Sequence, residues 1–378
     1  MLRDFLAGVR VLDLSQFLPG PFATQLLADM GASVLKIEPP AGDPLRRMDV
    51  MSGRPQPEGK RTPYYDAINA GKTVLALDLK AAAGKGAFAS LLARADVLLE
   101  SYRPGVLDRL GFGRDRLKAI NPGLVHCALS GYGQSGPNRL RSGHDVNYIA
   151  STGAYAASGS ADKPAMAWPP AADYASALQA ALTITGALAC RARTGQGAYL
   201  DVSLAEAMLA WQAWGLTAAT AGRPPRRGEN LLNGGAACYQ IYETKDHRFV
   251  TLGALEMHFW RNFCDAMGYP EWITRQHEPM PQMALIAEVA AVIGARPLAH
   301  WEATLKDVDC CYHAVLDYAE AAADPHARVR GLVQHGKAGG RSWTEVLFPA
   351  FVDGHAPPPR PPVREIDVAT ALKSWDQV

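Results

Sequence analysis

The stretch VRVLDLSQFLPGPFATQLLADMGASVLKIE, residues 9–38, decides the fold of this chain. Residues 9–14 have the apolar pattern of a buried strand, residues 22–30 that of a helix ending at Gly31, and residues 33–37 that of a second strand. A helix that joins two strands in this way predicts a β-α-β unit with parallel strands.

The alternation of strands and helices continues along the chain. Further strands are predicted at 73–77, 96–100, 124–130 and 198–202, and further helices at 81–94 and from Pro169-Pro170 to about Arg193. This pattern predicts the α/β class, with a mostly parallel sheet covered by helices on both faces. A glycine-rich loop, residues 130–137, follows one of the strands, and open α/β sheets bind ligands at such carboxyl ends.

The pattern changes beyond a Gly- and Pro-rich segment at residues 221–233, which resembles a linker. Residues 237–243 and 249–252 alternate about a turn and predict a hairpin. Helices are expected to follow at 256–267 and 281–293. A second, smaller domain of the α+β type is therefore predicted.

Composition excludes several classes of protein. The 38 basic and 37 acidic side chains give a formal net charge of +1, so neither wholesale disorder nor a general nucleic-acid surface is expected. Six cysteines without a CxxC pair are expected to be reduced. The amino-terminal residues show no secretion signal, and no stretch reaches the roughly 18 uninterrupted apolar residues of a membrane span. We therefore expect a cytoplasmic protein without a membrane partner.

The opening β-α-β unit raises the possibility of a nicotinamide dehydrogenase, with Glu38 at the position of a ribose-binding acid. The first turn, residues 15–21, contains one glycine and two prolines. A pyrophosphate can approach such a turn only where three glycines form GxGxxG, so this interpretation is disfavoured.

Three cations follow predicted strand ends: Lys80, Arg103 and Arg109. Guanidinium groups bind phosphates in bidentate fashion and lysine supplies a point charge, so these residues are candidates for a phosphate site. The alternative is that they are solvated surface residues, as most Lys and Arg on loops are.

Three further residues are candidates for proton transfer. His144 follows the glycine-rich loop, Asp173 lies in the first turn of the long helix, and Glu256 follows the predicted hairpin. A histidine titrates near neutral pH, and a carboxylate can act as base or nucleophile. Structural roles at helix ends are the alternative for all three. No cluster has metal-ligand spacing, so no metal is expected.

Taken together, the motifs resemble those of the family III CoA transferases and their relatives, the α-methylacyl-CoA racemases. The resemblance spans nearly the whole chain. Its motifs are Leu12-Asp13-Leu14, Leu18-Pro19-Gly20-Pro21, Leu26-Leu27-Ala28-Asp29-Met30-Gly31-Ala32, Lys36-Ile37-Glu38, Gly71-Lys72, Leu77-Asp78-Leu79-Lys80, Arg103-Pro104-Gly105, Ala172-Asp173-Tyr174, Thr194-Gly195-Gln196-Gly197 and Ala323-Asp324-Pro325-His326.

The resemblance implies a large Rossmann-like domain built from both termini, residues 1–205 and 330–378. A linker at 206–233 and a small domain at 234–329 complete the chain. It also implies a homodimer of intertwined chains, with an active site between the large domain of one chain and the small domain of the other.

The resemblance further implies that the ligand is an acyl-CoA, with no cofactor beyond the CoA carried in the substrate thioester. The residues implied for CoA binding are Leu77, Lys80, Ser101, Tyr102, Arg103, Arg109, Gly143, Asp145 and Tyr148.

Two branches of the family differ at residues visible in this chain. By resemblance, transferases use the Asp173 position as a nucleophile and racemases use it as a base. The racemase branch also has a histidine in Gly-His-Asp and a glutamate in Gly-Ala-Ile-Glu. This chain has Gly143-His144-Asp145 and Gly253-Ala254-Leu255-Glu256, so the racemase branch is favoured.

Racemisation beside a thioester needs an acid/base group on each face of the α-carbon. We expect His144, steadied by Glu256, to serve one face and Asp173 the other. The backbone N–H groups at the start of the Asp173 helix are expected to stabilise the enolate.

The substrates expected are 2-methyl-branched or 2-arylpropanoyl thioesters. A CoA transferase is the main alternative, and a non-enzymatic CoA-binding protein is disfavoured because all three candidate groups are present.

Overall fold

The computed structural model describes residues 1–57, 61–338 and 341–376 of the chain. In this part the strands are β1 (Arg10–Leu14), β2 (Ser33–Glu38), β3 (Thr73–Ala76), β4 (Val97–Glu100), β5 (Val125–Ser130), β6 (Ala198–Ser203), β7 (Tyr239–Glu243), β8 (Phe249–Gly253), β9 (Tyr312–Ala314), β10 (Val333–Ala338), β11 (Arg341–Val346) and β12 (Arg364–Ile366).

The α-helices are α1 (Pro19–Asp29), α2 (Pro63–Asn69), α3 (Ala82–Leu92), α4 (Val106–Arg109), α5 (Arg114–Ile120), α6 (Asp145–Ala150), α7 (Ala154–Ala157), α8 (Ala171–Thr194), α9 (Leu204–Ala210), α10 (Ala213–Thr220), α11 (Met257–Met267), α12 (Met283–Gly294), α13 (Leu298–Leu305), α14 (Tyr318–Ala323), α15 (Pro325–Arg330) and α16 (Val368–Asp376). Short 3-10 helices occupy Leu2–Asp4, Pro44–Arg46 and Pro270–His277.

The chain divides into two compact units. The first contains residues 1–149, 168–210 and 324–378, and the second contains 150–167 and 211–323. This division differs from the predicted one. Residues 150–167 belong to the second unit and residues 324–329 to the first. The predicted linker, 206–233, is divided between the two units and contains helix α10.

A seven-stranded parallel sheet in the order β12-β3-β2-β1-β4-β5-β6 is the centre of the first unit. The predicted β-α-β unit is confirmed, with Arg10 opposite Ser33 in the parallel pair of β1 and β2. Apolar residues of the central strands are fully buried because helices cover the sheet, as the α/β class predicts. The edge strand β12 comes from the carboxyl-terminal segment and was not predicted.

The second unit contains an antiparallel sheet in the order β7-β8-β9. The predicted hairpin is confirmed, since β7 and β8 pair with Tyr239 opposite Gly253. The largest residues of its core are Trp260, Trp272 and Trp301, which are almost completely buried. Among the described helices, none alone has the length and hydropathy of a membrane span; the bent pair α12 and α13 passes that test only when taken together.

A buried charge network joins the ends of β1 and β2 to the segment before β3. Asp13 accepts hydrogen bonds from Thr24 Oγ1 (2.6 Å) and Lys72 Nζ (3.3 Å), and both charged side chains are inaccessible to solvent. Lys36 Nζ pairs with Asp43 in the same region, at 3.0 Å. Burial lowers the pKa of Lys72 to about 8, although Asp13 opposes this effect.

Lys72→Met is expected to lower the free energy of unfolding by about 3–5 kcal/mol, because it leaves the Asp13 carboxylate buried without its partner. Urea denaturation measures the effect. The double variant Lys72→Met/Asp13→Leu is expected to recover part of the loss, since no uncompensated charge remains. Lys373→Met on the exposed face of α16 is the control and should change stability by less than about 0.5 kcal/mol. If Lys72→Met and Lys373→Met lowered the free energy of unfolding equally, this account would be contradicted.

Candidate functional site

Asp173 lies in the first turn of α8 and is partly buried. Burial raises the pKa of this carboxyl to about 7, and the nearby Asp145 carboxylate adds to the increase. Helix α8 is held against α1 by an edge-to-face contact between Tyr174 and Phe22, with ring centres 4.9 Å apart. Asp173 is therefore a fixed carboxyl group that changes charge near neutral pH.

The segment at the start of α6 lies against the first turn of α8. Asp145 Oδ1 accepts hydrogen bonds from the backbone N–H groups of Ala172 (2.7 Å) and Asp173 (3.2 Å). His144, the preceding residue, has an exposed side chain, and its backbone N–H donates to Asn147 Oδ1 at 3.0 Å. The structure thus brings His144 and Asp145 to the end of the helix that carries Asp173.

These hydrogen bonds correct one expectation from the sequence. The backbone N–H groups at the start of the Asp173 helix were predicted to stabilise an enolate, but the Asp145 carboxylate already binds two of them, those of Ala172 and Asp173. A backbone N–H has a single proton to donate, so these two groups are engaged. For these two groups the prediction is wrong, because the cap comes from a residue 27 positions upstream, which helix patterns do not reveal.

Tyr148 and Gly143 complete this part of the site. Tyr148 donates its hydroxyl proton to the Gly143 carbonyl oxygen at 2.6 Å. A Cβ atom at position 143 would lie 2.9 Å from the Tyr148 ring, so this approach requires glycine. Burial, together with Tyr132 and Asp173, raises the pKa of Tyr148 to about 12, and Arg103 opposes this effect. Arg103 and Asp173 are therefore both within electrostatic reach of Tyr148.

The other residues predicted to bind CoA lie near the carboxyl ends of β3 and β4. Leu77 is buried and donates its N–H to the Glu38 carbonyl oxygen, whereas Lys80 is exposed. Ser101 Oγ accepts a hydrogen bond from the Gln16 N–H at 3.3 Å. The Tyr102 N–H donates to Glu100 Oε2 at 2.7 Å. The carboxyl ends of parallel strands lie at the same end of the sheet. The sequence predicted a ligand site at these carboxyl ends.

A cavity of about 1230 Å³ opens in the first unit beside β4, β5 and β6. Its lining includes Arg103 and Arg109 from the predicted set, but neither Lys80 nor Asp173. Its other cations were not predicted as site residues: Arg114, Arg116, Lys118 and Arg139. The alternating charges of α5 are typical of a solvated helix face, so the sequence carried little signal for them.

The lining of this cavity also includes His126 and Glu100. The His126 Nε2 atom is buried, lies 3.7 Å from Glu100 Oε1 and makes no hydrogen bond. Tyr199 packs edge-to-face on His126, and the Arg114 guanidinium lies 3.8 Å from the centre of the Tyr199 ring. The cavity can thus hold an anion, since the six Arg and Lys residues of its lining outnumber the three acidic ones.

Glu256 belongs to the second unit, where it occupies the N-cap position of α11. Its side chain makes no capping hydrogen bond and is exposed, so the structural alternative of a helix cap is not seen. The preceding loop is fixed by Gln276, whose Nε2 donates to the carbonyl oxygens of Ala254 (3.0 Å) and Leu255 (2.9 Å). The contact of Glu256 with His144 stays a prediction.

The arrangement in the first unit can move a proton and can bind a phosphorylated ligand. Asp173 changes charge near pH 7, and an exposed histidine lies on the segment that contacts its helix. The described residues contain no group of three His, Cys, Asp or Glu side chains that could hold a metal ion. Imidazole and carboxyl side chains are the types that acid/base catalysis uses, and a carboxylate can also act as a nucleophile.

Three kinds of comparison with known proteins each match most of this chain. The family profile of CoA-transferase family III matches residues 6–364. The chain is 32% identical over 371 residues to the acetyl-CoA:oxalate CoA-transferase of Acetobacter aceti, covering 95% of this chain and 92% of that one. It is 33% identical over 331 residues to the human alpha-methylacyl-CoA racemase, covering 86% and 81%. A crystal structure of a CAIB/BAIF family protein from Brucella suis superimposes with a TM-score of 0.82 and 26% identity, covering 98% and 99%.

Proposed function

This chain belongs to CoA-transferase family III, and from that premise we propose that it is an acyl-CoA racemase. It would remove and return the α-proton of a 2-methyl-branched or 2-aryl acyl-CoA thioester. The family contains both CoA transferases and racemases, so the proposal concerns which of the two reactions this enzyme performs.

The observation that carries the proposal is the contact between Asp145 and the amide of Asp173, at 3.2 Å. It brings the backbone of His144 next to the helix end that bears Asp173, so two acid/base groups lie on adjacent segments. A transferase needs only the carboxylate, whereas racemisation needs a second group. Glu256 is proposed to steady His144, as in the Gly-Ala-Ile-Glu motif that its segment resembles.

The proposed reaction is a two-base proton exchange. One group removes the α-proton, and the electron pair of the C–H bond delocalises into the thioester carbonyl to give an enolate. The protonated group on the other face then donates a proton to the α-carbon and completes the inversion. A pKa of about 7 suits Asp173 to both directions, because neither form is scarce near neutral pH.

We further propose that the nucleotide part of CoA is held by cations at the carboxyl edge of the sheet. Arg103 and Arg109 support this because both line the 1230 Å³ cavity, where four further cations raise the local positive potential. Gly143, Asp145 and Tyr148 are proposed to flank the thioester. The proposed residues are Leu77, Lys80, Ser101, Tyr102, Arg103, Arg109, Gly143, Asp145 and Tyr148.

A CoA transferase is the second candidate. Its support is the match to an acetyl-CoA:oxalate CoA-transferase over 95% of this chain. In that reaction the Asp173 carboxylate attacks the thioester carbonyl, an acyl-enzyme anhydride forms and CoA leaves as the thiolate. A free carboxylic acid is then required as acceptor, and the α-proton is not removed.

One experiment separates the two candidates. A chiral 2-methylacyl-CoA is incubated with the wild-type protein in deuterated buffer, and the α-proton and the optical purity are followed together. For a racemase, both are expected to be lost without any added acid. Transfer of label from a free carboxylic acid into the thioester, with the α-proton retained, would contradict the racemase proposal and support the transferase.

The homodimer of intertwined chains stays a prediction. Its support is the exposure of large apolar side chains on the helices of both units. On α8 these are Leu178 and Leu182, and at α10 they are Trp211, Trp214 and Leu216. Trp214 is 80% exposed, and a side chain of this size on a surface is typical of a protein interface.

A further inference from the structure

The amino end of α8 is capped by a residue from elsewhere in the chain. Its N-cap residue is Pro170, which provides no side-chain hydrogen bond. The first N–H groups of any helix lack partners within the helix and need an outside acceptor. Asp145 supplies that acceptor for Ala172 and Asp173, at 2.7 and 3.2 Å.

The same contact places a negative charge beside Asp173. A helix amino end carries about half a positive charge, which on its own favours the ionised form of a nearby carboxyl. The Asp145 carboxylate offsets that charge and disfavours ionisation of Asp173. Among the described residues, Tyr148 and Tyr174 also interact electrostatically with Asp173. Arg103, which follows β4, lowers the pKa of Tyr148.

We propose that Asp145 is a positioning residue that sets the base strength of Asp173 through the amides of the α8 amino end. This inference rests on the proposed function only in taking Asp173 as the acting carboxyl, and it holds for both candidate reactions. It gives the Asp145 side chain a role distinct from contact with CoA.

The role has a chemical consequence. A carboxylate with an ordinary pKa is fully ionised at pH 7 and is a weak base toward a carbon acid. Asp173 titrates at about 7, so its anion is a stronger base and its protonated form is available to return a proton. Asp145 thus adjusts Asp173 through the backbone amides that it binds.

Asp145→Asn tests the proposal because asparagine keeps an acceptor oxygen for the two amides and removes only the charge. The readout is independent of activity: the protein is labelled with 13C at the aspartate side-chain carboxyl carbons and titrated by NMR. The resonance absent from Asp173→Asn is that of Asp173. We expect its midpoint near pH 7 in the wild type and about one pH unit lower in Asp145→Asn, still above the ordinary value because burial remains.

The pH profile of kcat/KM is expected to shift in the same direction. The acidic limb of Asp145→Asn should move to lower pH, and the plateau should fall about 3- to 10-fold because Asp173 becomes a weaker base. Asp145→Glu, which keeps the charge, should retain the wild-type midpoint. Asp145→Ala loses both cap and charge, and its Tm is expected to fall by about 2 to 4 °C.

Asp367→Asn is the matched control, since Asp367 likewise accepts from a backbone N–H, that of Thr370, at the start of α16. It should leave the Asp173 midpoint unchanged. An Asp173 midpoint that is equal in the wild type and Asp145→Asn overturns the inference, as does an equal shift in Asp367→Asn. Absence of racemase and transferase activity in the wild type overturns the proposed function instead, because the NMR titration needs no turnover.

Discussion

Asp173→Asn is expected to reduce turnover by about 10³-fold or more, because it removes the group that both candidate reactions require. In a racemase the variant has no base on one face of the α-carbon. In a transferase it has no nucleophile to form the acyl anhydride. The measurement is the initial rate of α-proton loss, or of label transfer, at saturating acyl-CoA.

The same variant should not be less stable than the wild type above pH 7. The pKa of Asp173 is raised from 3.8 to about 7, so the fold disfavours the ionised form and loses stability as pH rises through this range. A neutral amide removes that cost and the repulsion from Asp145. Activity lost together with a lower unfolding midpoint at pH 8 would point to a structural role for Asp173, and full activity would exclude it from catalysis.

His144→Gln is expected to abolish racemisation, with a loss of about 10²- to 10⁴-fold, while the chain keeps its fold because the His144 side chain is exposed. Asp173 remains able to exchange the α-proton on its own face. Deuterium should therefore enter one enantiomer of the substrate without inversion, and the enantiomer that exchanges identifies the face served by Asp173.

His247→Gln is the matched control for this variant. His247 is an exposed histidine in the turn between β7 and β8, where it pairs with Glu243 at 2.6 Å. Its substitution should leave racemisation unchanged. Racemisation at the wild-type rate in His144→Gln would remove the second base from the mechanism, and retained acid-dependent transfer would favour the CoA transferase.

The sequence predicted the elements that have a clear period and defined ends. The unit of β1, α1 and β2 was recognised because its apolar residues fall at strand and helix spacing, and Gly31 marks the helix end. The hairpin of β7 and β8 was recognised from alternation about a turn. These patterns are local, so they survive in the sequence alone.

Elements that depend on distant partners were missed or misjudged. Strand β12 has three residues, too few for any period, and exists because Arg364–Ile366 pairs with Thr73–Leu75. Helix α10 lay in a segment interpreted as a linker. Its apolar side chains are exposed, so its sequence lacks the two-sided pattern of a core helix.

In the site, too, residues in local motifs were predicted, and contacts between distant residues were not. Asp173, His144 and Asp145 were named from motifs, and the structure brings their segments together. The occupied amides of α8 could not be foreseen, since they depend on how residues 145 and 172 meet in space. The cations of α5 were not singled out because they line a cavity beside β6 that only the folded sheet creates.

The discontinuous first unit has a consequence for the order of folding. Its edge strand β12 pairs with β3 across almost 300 residues, and Arg360 binds Asp29 from 331 positions away, at 2.7 Å. The core of the second unit is drawn from residues 236–314 only. Contacts that close long loops form late, so we expect the second unit to fold during synthesis while the large sheet still lacks its last strand. A ribosome-bound nascent chain is therefore expected to expose the open edge of β3 until the carboxyl-terminal segment emerges.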